Sequence, residues 1–176
     1  FPVYLLSGII LFNFFNECVT LGMDSIVLNG PLITKVAMPK MIYPLSRSLS
    51  SLINLLIAFV PLLLVMLLSG APVSPALLLA PLVMALTFLF ALGMALILCT
   101  LNVFFRDTRF LWSVVSLLWT YATPIFYPIG IIPEAWQWLF RLNPMYQLIT
   151  FLRQIVLYGA WPSLQQWGIC LAWALG

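Results

Sequence analysis

The acids of this 176-residue sequence are Glu17, Asp24, Asp107 and Glu134; the bases are Lys35, Lys40, Arg47, Arg106, Arg109, Arg141 and Arg153. General acid–base catalysis needs groups of matched pKa within hydrogen-bond reach of one bond, and nucleophilic catalysis needs a hydroxyl or thiol beside a base. Histidine is absent, and Cys18, Cys99 and Cys170 are scattered. His-ligated metals, Ser-His-Asp triads and Cys-His pairs are therefore excluded within this sequence. Glu134 with Arg141 is a thin version of the carboxylate and cation clamp that a membrane-face transferase would need. No glycine is followed at P-loop spacing by Gly-Lys-Ser or Gly-Lys-Thr, so ATP-driven work would need a partner. What these residues can do is non-covalent: dock a partner, line a path, or gate it.

Positioning them falls to an apolar scaffold. Hydrophobic residues make up 64% of the sequence and charged residues 6%, against about 25% charged in a soluble domain. Too few charges exist to clothe a water-facing surface, and residues 48 to 105 and 110 to 133 contain none. The pattern predicts an integral membrane protein of the all-α class, a polytopic helical bundle. The net charge of +3 comes without a basic stripe and reads as loop charge that sets orientation, not as a nucleic-acid surface.

A bilayer core of about 30 Å takes about 20 residues of helix. On that measure the spans are residues 1–23, 48–68, 76–101, 110–127 and an incomplete 164–176, all in one transmembrane domain over 1–176. The apolar start at Phe1 and the short last stretch predict an internal piece of a longer chain. A polar loop, 24–47, follows the first span, and Pro31 and Pro39 bound a short helix within it. Asn102 to Arg109 is a polar hairpin. Ala91, Gly93 and Ala95 offer small surfaces for close helix contact. Pro133 to Leu142 reads as a helix too short to span, stopped at Asn143-Pro144. Pro144 opens a second helix, with Met145, Leu148, Ile149, Leu152 and Val156 on one face. The pair 133–158 is placed at the outer interface, or dipping back from it.

Lys and Arg number three in loop 24–47 and two in the hairpin, against none in the 69–75 turn and two in 129–163. The first two therefore face the cytoplasm. The short helix of the first loop carries Leu32, Ile33, Val36 and Met38 around Lys35, with Lys40 after it. That apolar surface suits a protein partner or the lipid headgroups. Arg106, Asp107 and Arg109 fit a partner contact or plain orientation charge, Asp107 pairing with Arg109 or capping the next helix. Glu17, an acid inside a span, fits a relay, a pore lining, or a carboxyl near the cytoplasmic end of its helix. Tyr127, Trp136, Trp138, Arg141, Asn143 and Arg153 are candidate pore or gate residues. The arginines there expect solvent or an anionic cargo. Trp112, Tyr127, Trp136, Trp138, Tyr158 and Trp161 suit an interfacial belt or stacking on sugar rings.

Three blocks carry a family resemblance. Asn13-Phe-Phe-x-Glu17 with Gly22, Ser25-Ile26, Asn29, Leu32-Ile33-x-Lys35-Val36, Pro39 and Pro44 resembles the second span and coupling loop of ABC transporter permeases that export polysaccharides and polyol phosphates. Leu101-Asn-Val-x-x-Arg106-Asp107-x-Arg109 resembles that family's turn between spans four and five. Thr123-Pro124-x-x-Tyr127-Pro128, Pro133-x-x-Trp136 and Leu142-Asn143-Pro144 resemble its fifth span and gate region.

The resemblance implies a half-transporter of six spans, of which spans two to six are present, forming a homodimer in a bacterial cytoplasmic (inner) membrane. It implies two ABC ATPase subunits that hold ATP and Mg, with no cofactor and no covalent chemistry in this chain. Leu32, Ile33, Lys35, Val36, Met38 and Lys40 would be the ATPase-coupling segment, and the cargo a lipid-linked glycan of O-antigen, capsule or teichoic acid type. The alternatives are an ABC permease for drugs or small lipophiles, a stand-alone lipid flippase, and a membrane glycosyltransferase.

Overall fold

The computed structural model describes residues 2–33, 35, 39–69, 75–125, 137–138, 140, 142–159 and 164–175. The elements among them are all helical: α1 (Pro2–Leu28), α2 (Gly30–Ile33), α3 (Ile42–Leu68), a 3₁₀ turn (Pro75–Leu79), α4 (Ala80–Phe104), α5 (Thr108–Ala122), α6 (Pro144–Tyr158) and α7 (Leu164–Leu175). Pro2–Leu28, Ile42–Leu68 and Pro75–Phe104 are long and apolar enough to cross a bilayer. The all-helical membrane bundle expected from composition is the observed architecture.

Helix α1 is the hub, lying along α3 and α4 and touching α5 and α6. Its Leu11, Phe15, Cys18, Val19 and Met23 are the centre of the core. On α4 the covered residues Thr87, Ala91, Ala95, Cys99 and Asn102 recur at helical spacing and form one face. Association inside a bilayer has no hydrophobic drive, so it rests on close fit, which small residues permit. A Cβ on Gly22 would lie 2.7 Å from the Ala95 Cβ, so glycine lets α1 and α4 approach. Of the three small residues expected at a contact, Ala91 and Ala95 are buried, whereas Gly93 meets nothing within 4 Å.

Several boundaries differ from the sequence reading, each for a local reason. Helix α1 continues to Leu28, because Asp24, read as the end of the span, is buried and finds partners on α4 and α5. Helix α3 begins at Ile42 and not Ser48. Pro44 is harmless there, since backbone N–H groups of the first turn have no partner within the helix. Helix α5 ends at Ala122, where Thr123 turns extended ahead of Pro124.

Helix α6 is covered on more than the one face marked in the sequence. Met145, Leu148, Ile149, Leu152 and Val156 are buried as read, but so are Phe151, Arg153 and Ile155. The helix lies against α1, α4, α7 and the 3₁₀ turn, and its covered surface extends well beyond one stripe. Its start is set by Asn143, whose Oδ1 accepts from the Met145 N–H at 3.1 Å, and by Pro144 at the first helical position. Gly159 ends it in the left-handed region at φ 55°.

Candidate functional site

At the end of α1 that leads into the loop, Asp24 is held from two sides. The Asn102 amide donates to Asp24 Oδ1 at 3.3 Å and to the Met23 carbonyl at 3.2 Å, and Arg109 Nε lies 3.4 Å from Asp24 Oδ2. Ser25, next along, donates to the Gly22 carbonyl at 2.6 Å and touches the Cys99 sulfur at 3.7 Å. One acid thus joins α1, α4 and α5. Arg109 pairs with Asp24 and not with Asp107, which stands at the N-cap of α5 without a side-chain capping bond. This corrects both local readings of the hairpin acid. Arg106 and Asp107 are exposed.

Midway along α1, Glu17 accepts a hydrogen bond of 2.7 Å from the Asn54 amide of α3. Thr20 accepts from the Trp112 indole at 3.2 Å. Trp112, Trp119 and Phe15 contact one another edge to face, and Phe90 stacks on Phe15 at 5.5 Å, joining α1, α4 and α5 through their rings.

Where α5 breaks, two side chains of the α6 region take up the freed backbone. The Asn143 amide donates to Thr123 Oγ1 at 2.9 Å, while its Oδ1 accepts from the Trp119 indole at 3.0 Å as well as from Met145. Arg153 is 5% exposed. Its guanidinium donates to the carbonyls of Pro124 at 3.2 Å and Ile125 at 2.9 Å and lies 3.5 Å from the centre of the Tyr4 ring. Gly8 makes room for it: a Cβ there would come within 2.7 Å of Nη2. The sequence reading put Arg153 beside solvent or cargo. The structure buries it against carbonyls, because a broken helix inside the bundle needs donors more than a pore mouth needs a cation.

Of the coupling residues, Leu32 and Ile33 close α2, and Lys35 and Lys40 are exposed. Lys40 borders a cleft of about 370 Å³ with Ile26, Pro44, Leu96, Cys99 and Val103. Val36, Met38, Tyr127, Trp136 and Arg141 lie outside the described residues, as does most of the helix expected over 133–142. Trp138 is exposed. Sequence reasoning missed Asn54 and Asn102, although they are the asparagines of the charge-free run 48–105. An amide in an apolar span needs a partner, and that was the available signal.

A helical bundle built on three bilayer-length helices defines a multi-pass membrane protein. The model of the ABC-2 type transporter family matches residues 2–157, and the chain belongs to that family. Among curated proteins it is 28% identical over 160 residues to the O-antigen export system permease protein RfbA of Klebsiella pneumoniae, covering 90% of this chain and 62% of that one. It is 32% identical over 158 residues to the protein of the same name from Myxococcus xanthus, covering 88% of this chain and 60% of that one. The chain thus spans about three fifths of the length of these relatives.

Proposed function

We propose that the chain belongs to the membrane subunit of an ATP-driven exporter that moves a lipid-linked polysaccharide or polyol phosphate polymer across the bacterial cytoplasmic membrane. What carries this reading is the similarity to O-antigen export permeases over nine tenths of the chain. The geometry supports it. Asp24, Asn102 and Arg109 tie the end of α1, from which the loop with Lys35 and Lys40 departs, to the α4–α5 hairpin. A push on that loop is then delivered to three helices at once.

In this reading the segment Leu32 to Lys40 docks on a separate ATPase subunit that holds ATP and Mg, and hydrolysis there rocks two copies of the permease. Helix α5, which buries only Thr108 and Trp112 and leaves Phe110, Leu111, Val114 and Leu118 bare, is available to face lipid or the second copy. The stretch through Tyr127, Trp136, Trp138 and Arg141 forms the outer gate.

The test is Ile33→Asp in the full-length permease. An unpaired carboxylate in an apolar contact costs several kcal/mol. The variant should reach the membrane, lose the co-purifying ATPase and stop export. Unchanged co-purification with unchanged export would make the loop helix a lipid-facing element.

A further inference from the structure

Helix α1 has a second face that the core does not use. Asn13, Glu17, Thr20 and Asp24 are spaced four, three and four apart and so fall on one stripe, turned away from Leu11, Phe15, Cys18 and Gly22. Asn13 is exposed, and Glu17 and Thr20 are half-buried. Beside them the Asn16 Oδ1 is buried with no hydrogen-bond partner among the described residues.

Both neighbours turn polar flanks to this stripe. On the α3 side Asn54 reaches Glu17, and Ser50 and Arg47 follow it at helical steps toward the start of α3. Leu49, Ile53, Leu56, Val60 and Leu64 occupy a different, outward face of α3. On the other side Trp112 reaches Thr20. Thr108, Leu111 and Val115 of α5 line a cavity of about 590 Å³ with Met94, Leu98 and Leu101 of α4. Helical geometry therefore puts Ser113, Ser116 and Thr120 on the flank of α5 away from α4. The three flanks make a groove along α1.

An amide and a carboxylate facing hydrocarbon would cost several kcal/mol, whereas against water or a hydroxylated chain they cost little. Between Asn13 and Thr20 the groove offers amides, hydroxyls and one carboxylate and has no base. Arg47 and the Asp24–Arg109 pair stand at one end only. Building on the export reading above, we propose that this groove is the path of the cargo and that it selects an uncharged polyhydroxyl chain. The hydroxyls of a neutral glycan can exchange water for Asn13 and Asn54, while Glu17 repels a phosphodiester polymer of the same length.

The test labels the groove in the full-length permease with Cys18, Cys99 and Cys170 replaced, using Asn13→Cys and, as lipid-facing reference, Leu56→Cys. The reagents are the cationic trimethylammonium-ethyl and the anionic sulfonato-ethyl methanethiosulfonates. Asn13→Cys should react with the cationic reagent about tenfold faster than Leu56→Cys, and its preference for cation over anion should shrink several-fold when Glu17→Gln is added. Ser50→Cys repeats the measurement on α3. Maltohexaose should slow labelling, and a glycerol phosphate oligomer of the same length should not.

Labelling no faster than at Leu56→Cys at both positions would mean lipid or a second copy covers the stripe, and the proposal falls. A charge preference indifferent to Glu17→Gln, or equal protection by the two oligomers, overturns the selection. Association with the ATPase is scored in the same membranes. Its loss with labelling intact removes the export reading, whereas its presence without labelling removes the groove alone.

Discussion

The two ends of the bundle are fastened by different chemistry. Toward the loop after α1 the fastening is an ion pair, Asp24 with Arg109, whose arginine side chain is 62% exposed. At the break after α5 it is a buried arginine bonded to two main-chain carbonyls, beside a half-buried asparagine that bonds the Thr123 hydroxyl and the Met145 N–H. Water can take the place of the exposed guanidinium while Asn102 still holds the buried Asp24 carboxylate, so the pair contributes about 0–1 kcal/mol. It cannot reach a carbonyl inside a bundle, so donors there are irreplaceable. The comparison assigns easy release to the end nearest the loop and rigidity to the end where α5 stops.

The largest expected effect is at Arg153. Arg153→Met leaves the Pro124 and Ile125 carbonyls without donors and should lower unfolding free energy by about 3 kcal/mol, measured by SDS titration of the purified protein in mixed micelles. Gly8→Ala should cost about 2 kcal/mol, because the new methyl displaces a guanidinium that has nowhere else to bond. In the Arg153→Met background the same change should be nearly free, and simple additivity of the two would refute the contact. Next comes Asn143→Ala, which removes the α6 cap and the Trp119 partner, at about 1.5 kcal/mol. Trp119 fluorescence should change with it. The smallest effect is Arg109→Ala, at about 0.5 kcal/mol or less. If Arg109→Ala matched Arg153→Met, the contrast between the two ends would be wrong.

What the sequence disclosed followed the range of the physics. Spans α3 and α4 were legible because the run 48–105 has no charge, and the start of α6 because Asn143-Pro144 is a local signal. Asp24 and Pro44 misled because an acid and a proline read as loop until their surroundings are known. Arg153 was legible as important and not for its reason: its partners are carbonyls 28 and 29 residues away, and carbonyls leave no mark in a sequence. The Glu17–Asn54 pair spans 37 residues between two helices, beyond what spacing within one helix reveals.

The 15 residues of α5 amount to about 22 Å, some 8 Å short of the hydrocarbon thickness. With Arg109 at the headgroups, Thr123, Pro124 and Ile125 would lie at a depth where mismatched helices otherwise thin the membrane around them. Arg153 would act there as covalently tethered solvent, saturating the Pro124 and Ile125 carbonyls so that the surrounding lipid need not deform. An α5 of this length is therefore tolerable in a bilayer of ordinary thickness, and the strain of the shortfall is confined to the protein.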